Sequence, residues 1–283
     1  MGWAQGISCL FLLLTVPAGV RTLHYSWWSD NPQPYLEAIQ KTGSTSPPKL
    51  TREERIRAGI VTHHFLASGM MVRFFAGLRA TTSPETVILI GPNHFHRGLA
   101  DVSLSSLPWK TPFGLVETDQ AVVQLCRNAT HLPEDPEAFT GEHSVGVLIP
   151  FLKYYFPRTK VVPILIDVNA QDRHLRNLRG VLGELLAKPN ILVLLSMDFS
   201  HNSVASIADD RDAGAQQAIS TLDLSRVEGL NVDCRKGLWL LLAALADLGK
   251  IEVHFSEHTN SARLTGNAQQ ANVTSYYSVY FYR

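Results

Sequence analysis

The sequence shows no imbalance of charge and very little cysteine. Its 283 residues contain 25 Lys and Arg against 25 Asp and Glu, without a run of like charges. Such a chain has no net field that would attract a polyanion, so nucleic acid is not expected as a partner. Two of the three cysteines, Cys126 and Cys234, stand more than a hundred residues apart and fit neither a CxxC nor a zinc-finger spacing. These cysteines define no disulfide framework.

The N terminus lacks an apolar run long enough to span a bilayer. The apolar stretch 7–16 has ten residues, which is too short to cross about 30 Å of hydrocarbon. With Pro17, Ala18 and Gly19 after it, the stretch is typical of a signal peptide, although no Lys or Arg precedes it. We expect residues 1–20 to be a signal-like segment that exports the protein or associates it with a membrane. The alternative is an ordinary N-terminal helix in a cytoplasmic protein.

The remaining chain divides into a lead-in and one domain. Residues 21–50 contain Pro32, Pro34, Pro47 and Pro48, which predict an extended lead-in. In residues 51–283, short apolar runs alternate with amphipathic stretches, and this pattern predicts a single α/β domain with a mainly parallel central sheet flanked by helices. The predicted strands are 59–62, 86–90, 161–166, 191–195, 251–255 and, as an antiparallel edge, 275–282. The predicted helices are 66–80, 118–127, 144–155, 170–186, 209–220 and 235–248.

Three of the predicted strands end in histidine. His63 and His64 follow the first strand, His94 follows the second, and Asp198 and His201 follow the fourth. Ligands of parallel α/β sheets bind outside the carboxyl ends of the strands, so we expect these side chains around one opening. Imidazole favours a transition metal such as zinc, copper or iron(II), and Asp198 is suited to orient a ligating ring. Its alternative role is to cap the turn after the strand.

Two further candidates stand where helices are predicted to begin. Glu142 and His143 precede an apolar helix, where Glu142 is either a base next to a metal ligand or only a charge that favours the helix start. Cys234 precedes the helix predicted at 235–248, and a thiol at a helix start has a lowered pKa, which predicts a metal ligand or a nucleophile. Cys126 lies among apolar residues and is expected to pack as a small hydrophobe.

Together these motifs resemble the Memo-like family, also called AmmeMemoRadiSam system protein B, which shares its fold with LigB-type class III extradiol dioxygenases. The resemblance spans roughly residues 58–282. It depends on IGPNH at 90–94, EHS at 142–144 with IPFL at 149–152, SMDFSH at 196–201, and the junction of Asp233 and Cys234 before a helix. The chain departs from the family at Thr62, where the family has proline, at Gly146, where an acidic residue is common, and at Arg235 and Lys236, where glycine and arginine are usual.

The resemblance implies a metal site formed by His63, His94 and Cys234, with Asp198 and His201 beside it. His63 takes the motif position, and strand alternation directs His64 away. Ring cleavage as in the dioxygenases does not follow from the fold, because a cysteine replaces their carboxylate ligand. The family name also implies an association with radical SAM and AMMECR1-like proteins.

Three functions remain open from the sequence. The first is metal-dependent redox or oxygen chemistry, with His201 or His143 as acid or base, Asp198 orienting a ligand and Glu142 assisting. The second is a non-catalytic cleft that binds a small molecule, a peptide or an anion. The third is a hydrolase with Cys234 as its nucleophile and a neighbouring histidine as its base.

Overall fold

A seven-stranded sheet forms the centre of the protein in the computed structural model, which describes residues 21–25, 30–42 and 55–283. The spatial order of the strands is β3, β6, β2, β7, β1, β9 and β8. Strands β6, β2, β7 and β1 are parallel, and the strands outside them pair antiparallel. The strands are β1 (Ile56–Val61), β2 (Thr86–Pro92), β3 (Val102–Leu104), β6 (Lys160–Ile166), β7 (Ile191–Ser196), β8 (Glu252–Asn260) and β9 (Ser275–Tyr282).

Helices cover both faces of this sheet. One face packs against α1 (Gln33–Lys41), α2 (Ser68–Thr81), α4 (His143–Gly146) and α5 (Leu148–Tyr155). The other packs against α3 (Gln120–Thr130), α6 (Asp172–Leu186), α7 (Ala205–Ser220) and α8 (Arg235–Ala246). A short helix α9 (Ser261–Thr265) and a hairpin of β4 (Trp109–Thr111) and β5 (Gly114–Val116) lie outside these layers. The predicted α/β fold is therefore confirmed.

Side chains of the central strands alternate between the two apolar cores, one on each face of the sheet. In β2, Ile88 and Ile90 join the core beneath α3, α6 and α8, whereas Val87 and Leu89 join the core beneath α2 and α5. Successive side chains of a strand point to opposite faces, so a strand buried on both sides needs apolar residues throughout. This requirement explains the continuous apolar runs of the sequence.

Two local predictions within the domain were wrong. Strand β9 is antiparallel but lies between β1 and β8, so the edge position belongs to β8. The helix predicted at 144–155 is divided at Val147 into α4 and α5. Pro150 has no amide hydrogen to bond the carbonyl of Gly146, which weakens the helix there. Nothing in the apolar pattern alone distinguishes a second-to-last strand from an edge.

The lead-in is not extended throughout, because helix α1 (Gln33–Lys41) forms within it. Pro32 and Pro34 stand at its beginning, where a proline costs no helical hydrogen bond. The helix is held by Tyr35, which is buried with its ring centroid 4.9 Å from that of Phe151 and 5.3 Å from that of Phe65. Tertiary packing therefore decides the structure of this segment.

The signal-like segment 1–20 lies outside the described residues, as do 26–29 and 43–54. Within the part of the chain that is described, none of the helices has the length and apolar character needed to cross a membrane.

Candidate metal centre

His63 lies two residues beyond the end of β1 and is buried. Its Nδ1 is 2.9 Å from Ser196 Oγ, at the end of neighbouring strand β7. The hydroxyl of Ser196 donates its hydrogen to the carbonyl of Ser144, so its oxygen accepts from His63. The imidazole therefore carries its hydrogen on Nδ1 and leaves Nε2 with a lone pair.

His94 follows β2 and is held by Glu142. Glu142 is completely buried, with Oε1 2.9 Å from His94 Nδ1 and Oε2 accepting from the His94 amide at 2.8 Å. A carboxylate only accepts, so the hydrogen of the His94 ring is on Nδ1 and Nε2 is free. Glu142 also caps α4, because its Oε1 accepts from the Ser144 amide at 2.8 Å. Glu142 thus both holds the His94 ring and caps α4.

His143 completes a group of three imidazoles. Its ring stacks on that of His94, with centroids 4.3 Å apart, and meets the ring of His63 at a centroid distance of 5.2 Å. One ring nitrogen from each of these three histidines lies within 4.8 Å of those of the other two. The His143 side chain is one-third exposed, so the group is reached from solvent on this side.

Two glycines let helix α4 lie against its neighbours. A Cβ at Gly91 would be 2.8 Å from Ser144 Oγ, and a Cβ at Gly146 would be 2.7 Å from the Cβ of Tyr25. Glycine at 91 thereby allows the close approach of α4 to β2. Gly146, a departure from the family pattern, leaves its space to Tyr25, whose pKa is raised by burial and by the charge of Glu142.

Asp198 follows β7 and binds the backbone of the first strand's end. Its Oδ1 accepts from the hydroxyl of Thr62 and from the His63 amide at 3.3 Å, and its Oδ2 is 3.8 Å from His63 Nε2. Thr62 replaces the proline of the family motif and adds a hydrogen-bond donor to this carboxylate. Asp198 therefore holds the backbone at His63, and its role in orienting a ligating ring stays a prediction.

Asp233 is the functional candidate that the sequence reasoning missed. Its Oδ2 lies 3.2 Å from His63 Nε2 and 3.6 Å from His94 Nε2. This oxygen is buried and accepts no hydrogen bond from the residues that the structure describes. Its other oxygen, Oδ1, accepts from the Asp198 amide at 3.0 Å, which fixes the carboxylate. The signal in the sequence was its position next to Cys234.

Cys234 itself is in none of the metal-capable groups of the described residues. Its side chain is 3 % exposed and belongs to the apolar core beneath α8. A Cβ on Gly237 would be 2.5 Å from Cys234 Sγ and 2.9 Å from Leu195 Cδ1, so the sulfur lies between helix and strand. Burial and the charge of Asp233 raise the pKa of the thiol well above its usual value, contrary to the lowering expected at a helix start.

The other two histidines near the site have separate surroundings. His201 is partly exposed and is in none of the metal-capable groups of the described residues; its amide donates to Asn231 Oδ1 at 2.7 Å. His64 turns away from His94, with its Nδ1 2.6 Å from the hydroxyl of Tyr276. Of the pair 63 and 64, the structure brings His63 to the other imidazoles.

The carboxylates make the site strongly favourable for positive charge. Burial lowers the pKa of His94, but Asp233 and Glu142 outweigh it and raise this pKa to about 10. His63 is desolvated too, yet Asp198 and Asp233 raise its pKa. His143 behaves in the opposite way, because burial and the charges of His63 and His94 lower its pKa to about 4. Despite burial, these histidines hold the pKa values of Glu142 and Asp233 below the usual range.

A second cluster lies on the α7 side of the sheet. Asp212 is buried, and its Oδ1 accepts from Ser200 Oγ at 2.7 Å and Ser275 Oγ at 2.9 Å. Its Oδ2 is 2.8 Å from His258 Nε2. Asp209, Asp212 and His258 also have the spacing of metal ligands. Here, however, both oxygens of Asp212 already have partners.

The arrangement at the end of β1, β2 and β7 can hold a metal ion. His63, His94 and His143 form one suitable group, and His63, Asp198 and Asp233 form another that shares His63. Imidazole and carboxylate donors together suit a divalent transition metal. The structure therefore contains histidine and aspartate groups that could bind a metal ion.

Comparisons with known proteins identify the family of this chain. The family model described as Memo-like protein matches residues 22–280. MEMO1 family proteins of Pyrobaculum aerophilum and Pyrobaculum arsenaticum are each 29 % identical to this chain, and each match covers 83 % of it and 86 % of the relative. A crystal structure of an uncharacterized protein from Escherichia coli K12 has the same fold, with a TM-score of 0.52, 12 % identity, and coverage of 78 % of this chain and 98 % of that one. The chain belongs to the Memo-like family.

Proposed function

We propose that this protein binds a redox-capable metal ion, iron or copper, at the end of β1, β2 and β7 and uses it in metal-dependent redox chemistry. The observation that carries the proposal is the convergence of three imidazoles within 4.8 Å beside the carboxylates of Asp198 and Asp233. Both His63 and His94 have their Nδ1 held by an acceptor, which is how ligating histidines are usually fixed. Such an ion supplies electron transfer and polarises a bound oxygen atom.

The chain's own residues supply orientation and proton transfer. Glu142 and Ser196 fix the rings of His94 and His63, and Asp198 holds the backbone at His63. His143 is one-third exposed and stacks on His94, so it is placed to pass a proton between solvent and a molecule bound beside the ion. His201 remains a second candidate for this role from its position after β7.

Two cavities lie beside Asp233. One of about 50 Å³ is lined by charged residues of both signs, namely Asp167, Glu228, Asp233, Arg235 and Lys236, and a second of about 240 Å³ shares Glu228, Arg235 and Lys236 with it. Lys236 pairs with Asp172 at 2.8 Å, whereas Arg235 has no ion pair within the described ranges. This free cation supports an anionic small molecule as the ligand. A non-catalytic anion cleft is the second candidate, and it requires that affinity for inorganic phosphate survive a chelator.

The hydrolase alternative has less support. A nucleophilic cysteine needs thiolate character and access, and Cys234 is buried with a raised pKa.

Metal analysis of anaerobically purified protein tests the proposed function. We expect close to one iron or copper per chain, an absorption spectrum that changes on exposure to oxygen, and a loss of metal affinity of at least about 100-fold in His94→Ala. His254→Ala is the matched control, because His254 is exposed on β8 and outside the site. Equal metal content in His94→Ala and the control would refute the proposal.

A further inference from the structure

Asp233 has one buried carboxylate oxygen, Oδ2, that accepts no hydrogen bond among the described residues. A buried carboxylate oxygen without a hydrogen bond costs free energy, so native structures leave few of them unexplained. Asp233 Oδ2 is such an atom among the described residues, although the Asp198 amide holds the other oxygen in place. The carboxylate is therefore fixed with one oxygen directed at the imidazoles of His63 and His94.

The tautomers of His63 and His94 direct Nε2 of each ring at Asp233. Ser196 and Glu142 keep the ring hydrogens on Nδ1, so each Nε2 presents a lone pair on the side of Asp233. Two nitrogen lone pairs and a carboxylate oxygen repel one another unless a proton or a metal cation lies among them. The three atoms are thus arranged around a positive charge, which protons supply on the free rings and which a metal ion would supply on displacing them.

The separations suit shared ligation. Ligand atoms about 2.1 Å from one metal ion lie about 3 to 3.4 Å from each other. The distances from Asp233 Oδ2 to the two Nε2 atoms are 3.2 and 3.6 Å. The sulfur of Cys234, in contrast, is packed against Gly237 and Leu195 in the apolar core.

We propose that Asp233, and not Cys234, is the third protein ligand, so that this member of the family has a two-histidine, one-carboxylate site. The assignment rests on the proposed metal-binding function and names its donors. A carboxylate is a harder ligand than a thiolate, and two histidines with one carboxylate are the donor set of non-haem iron(II) oxygenases. The site accordingly prefers iron(II) to copper(I), and an oxygen-using reaction on an organic substrate becomes its reaction class.

The test compares isosteric variants at the two neighbouring positions. Asp233→Asn and Cys234→Ser are prepared anaerobically with Asp247→Asn as the control, since Asp247 is part of a partly exposed ion pair with Arg179. Iron(II) affinity is measured by competition with a chelator, and circular dichroism verifies folding. We expect Asp233→Asn to lose at least about tenfold in affinity, and Cys234→Ser and the control to stay within about twofold.

A second measurement keeps the assignment testable if Asp233→Asn does not fold. Cobalt(II) bound by a thiolate absorbs intensely in the near ultraviolet, whereas nitrogen and oxygen ligands do not give this band. We expect the cobalt-loaded wild-type protein to lack it, and Asp233→Glu to retain metal.

The outcomes separate the two levels of the proposal. A thiolate band that disappears in Cys234→Ser, or a loss of iron in Cys234→Ser but not in Asp233→Asn, would assign the third ligand to Cys234 and leave the proposed function intact. Absence of metal binding in the wild-type protein would overturn the proposed function and this assignment with it.

Discussion

Asp212 is a buried aspartate and Asp233 a largely buried one, each beside histidine, and their oxygens have different surroundings. Asp212 accepts from two serine hydroxyls and lies within hydrogen-bond distance of His258, so both its oxygens are satisfied. Asp233 has one oxygen bound by the Asp198 amide and one without a hydrogen bond among the described residues. A satisfied carboxylate stabilises the fold, whereas a fixed but unsatisfied one is prepared for a ligand.

The first prediction tests the structural role of Asp212. Asp212→Ala removes the acceptor of Ser200, Ser275 and His258 and leaves buried donors unpaired, so we expect the free energy of unfolding to fall by about 3 kcal/mol. Urea unfolding followed by tryptophan fluorescence measures it. Asp209→Ala removes a partly exposed pair with Arg263, and the other oxygen of Asp209 has no hydrogen bond among the described residues to lose, so this variant should cost less than about 1 kcal/mol. A loss of bound metal in Asp212→Ala without a loss of stability would show that Asp212 binds the metal and does not stabilise the fold.

The second prediction concerns how the metal site is supported. Glu142→Gln removes the anionic acceptor at His94 Nδ1 while keeping the shape of the side chain. We expect metal affinity to fall by about 10- to 100-fold, equivalent to about 1.4 to 2.7 kcal/mol, because the ring is no longer fixed in one tautomer. Chelator competition measures this loss. If Glu142→Gln keeps wild-type affinity, the tautomer of His94 does not depend on Glu142.

The third and smallest effect is a pH dependence of stability at Asp212. Burial raises its pKa, but hydrogen bonds from His258, Ser200 and Ser275 outweigh burial and lower the pKa in the folded state. Its contribution to stability is therefore complete above the pKa of an unfolded aspartate, about 3.9, and is lost as the pH falls through the lower folded pKa. The free energy of unfolding of Asp212→Asn should decline less steeply than that of the wild type between about pH 5 and pH 2. Parallel curves would show that Asp212 has the same pKa in both states.

Much of the fold follows from local pattern, because apolar runs of four to seven residues can be read directly as strands buried on both faces. The lead-in could not be read in this way. The helix Gln33–Lys41 depends on the burial of Tyr35 against Phe65 and Phe151, which are distant in sequence.

The site was predictable to the extent that it depends on strand ends. His63, His94 and Asp198 all follow parallel strands, and parallel strands bring such positions to one edge. The sequence did not predict which side chain of the Asp233–Cys234 junction faces the imidazoles. Which of two adjacent side chains faces the imidazoles depends on the backbone at the start of α8, where Cys234 has φ −120° and ψ 53°.

Because Gly146 has no side chain, Tyr25 from the N-terminal part of the chain packs beside the site. Tyr25 lies where a side chain at position 146 would be, and it is close enough to Glu142 to feel that carboxylate's charge. A neutral phenol thus occupies the space beside Gly146 and close to Glu142. Variation in the N-terminal segment is thereby coupled to the electrostatic balance around His94, and a chain shortened past Tyr25 would present a different entrance to the same ligands.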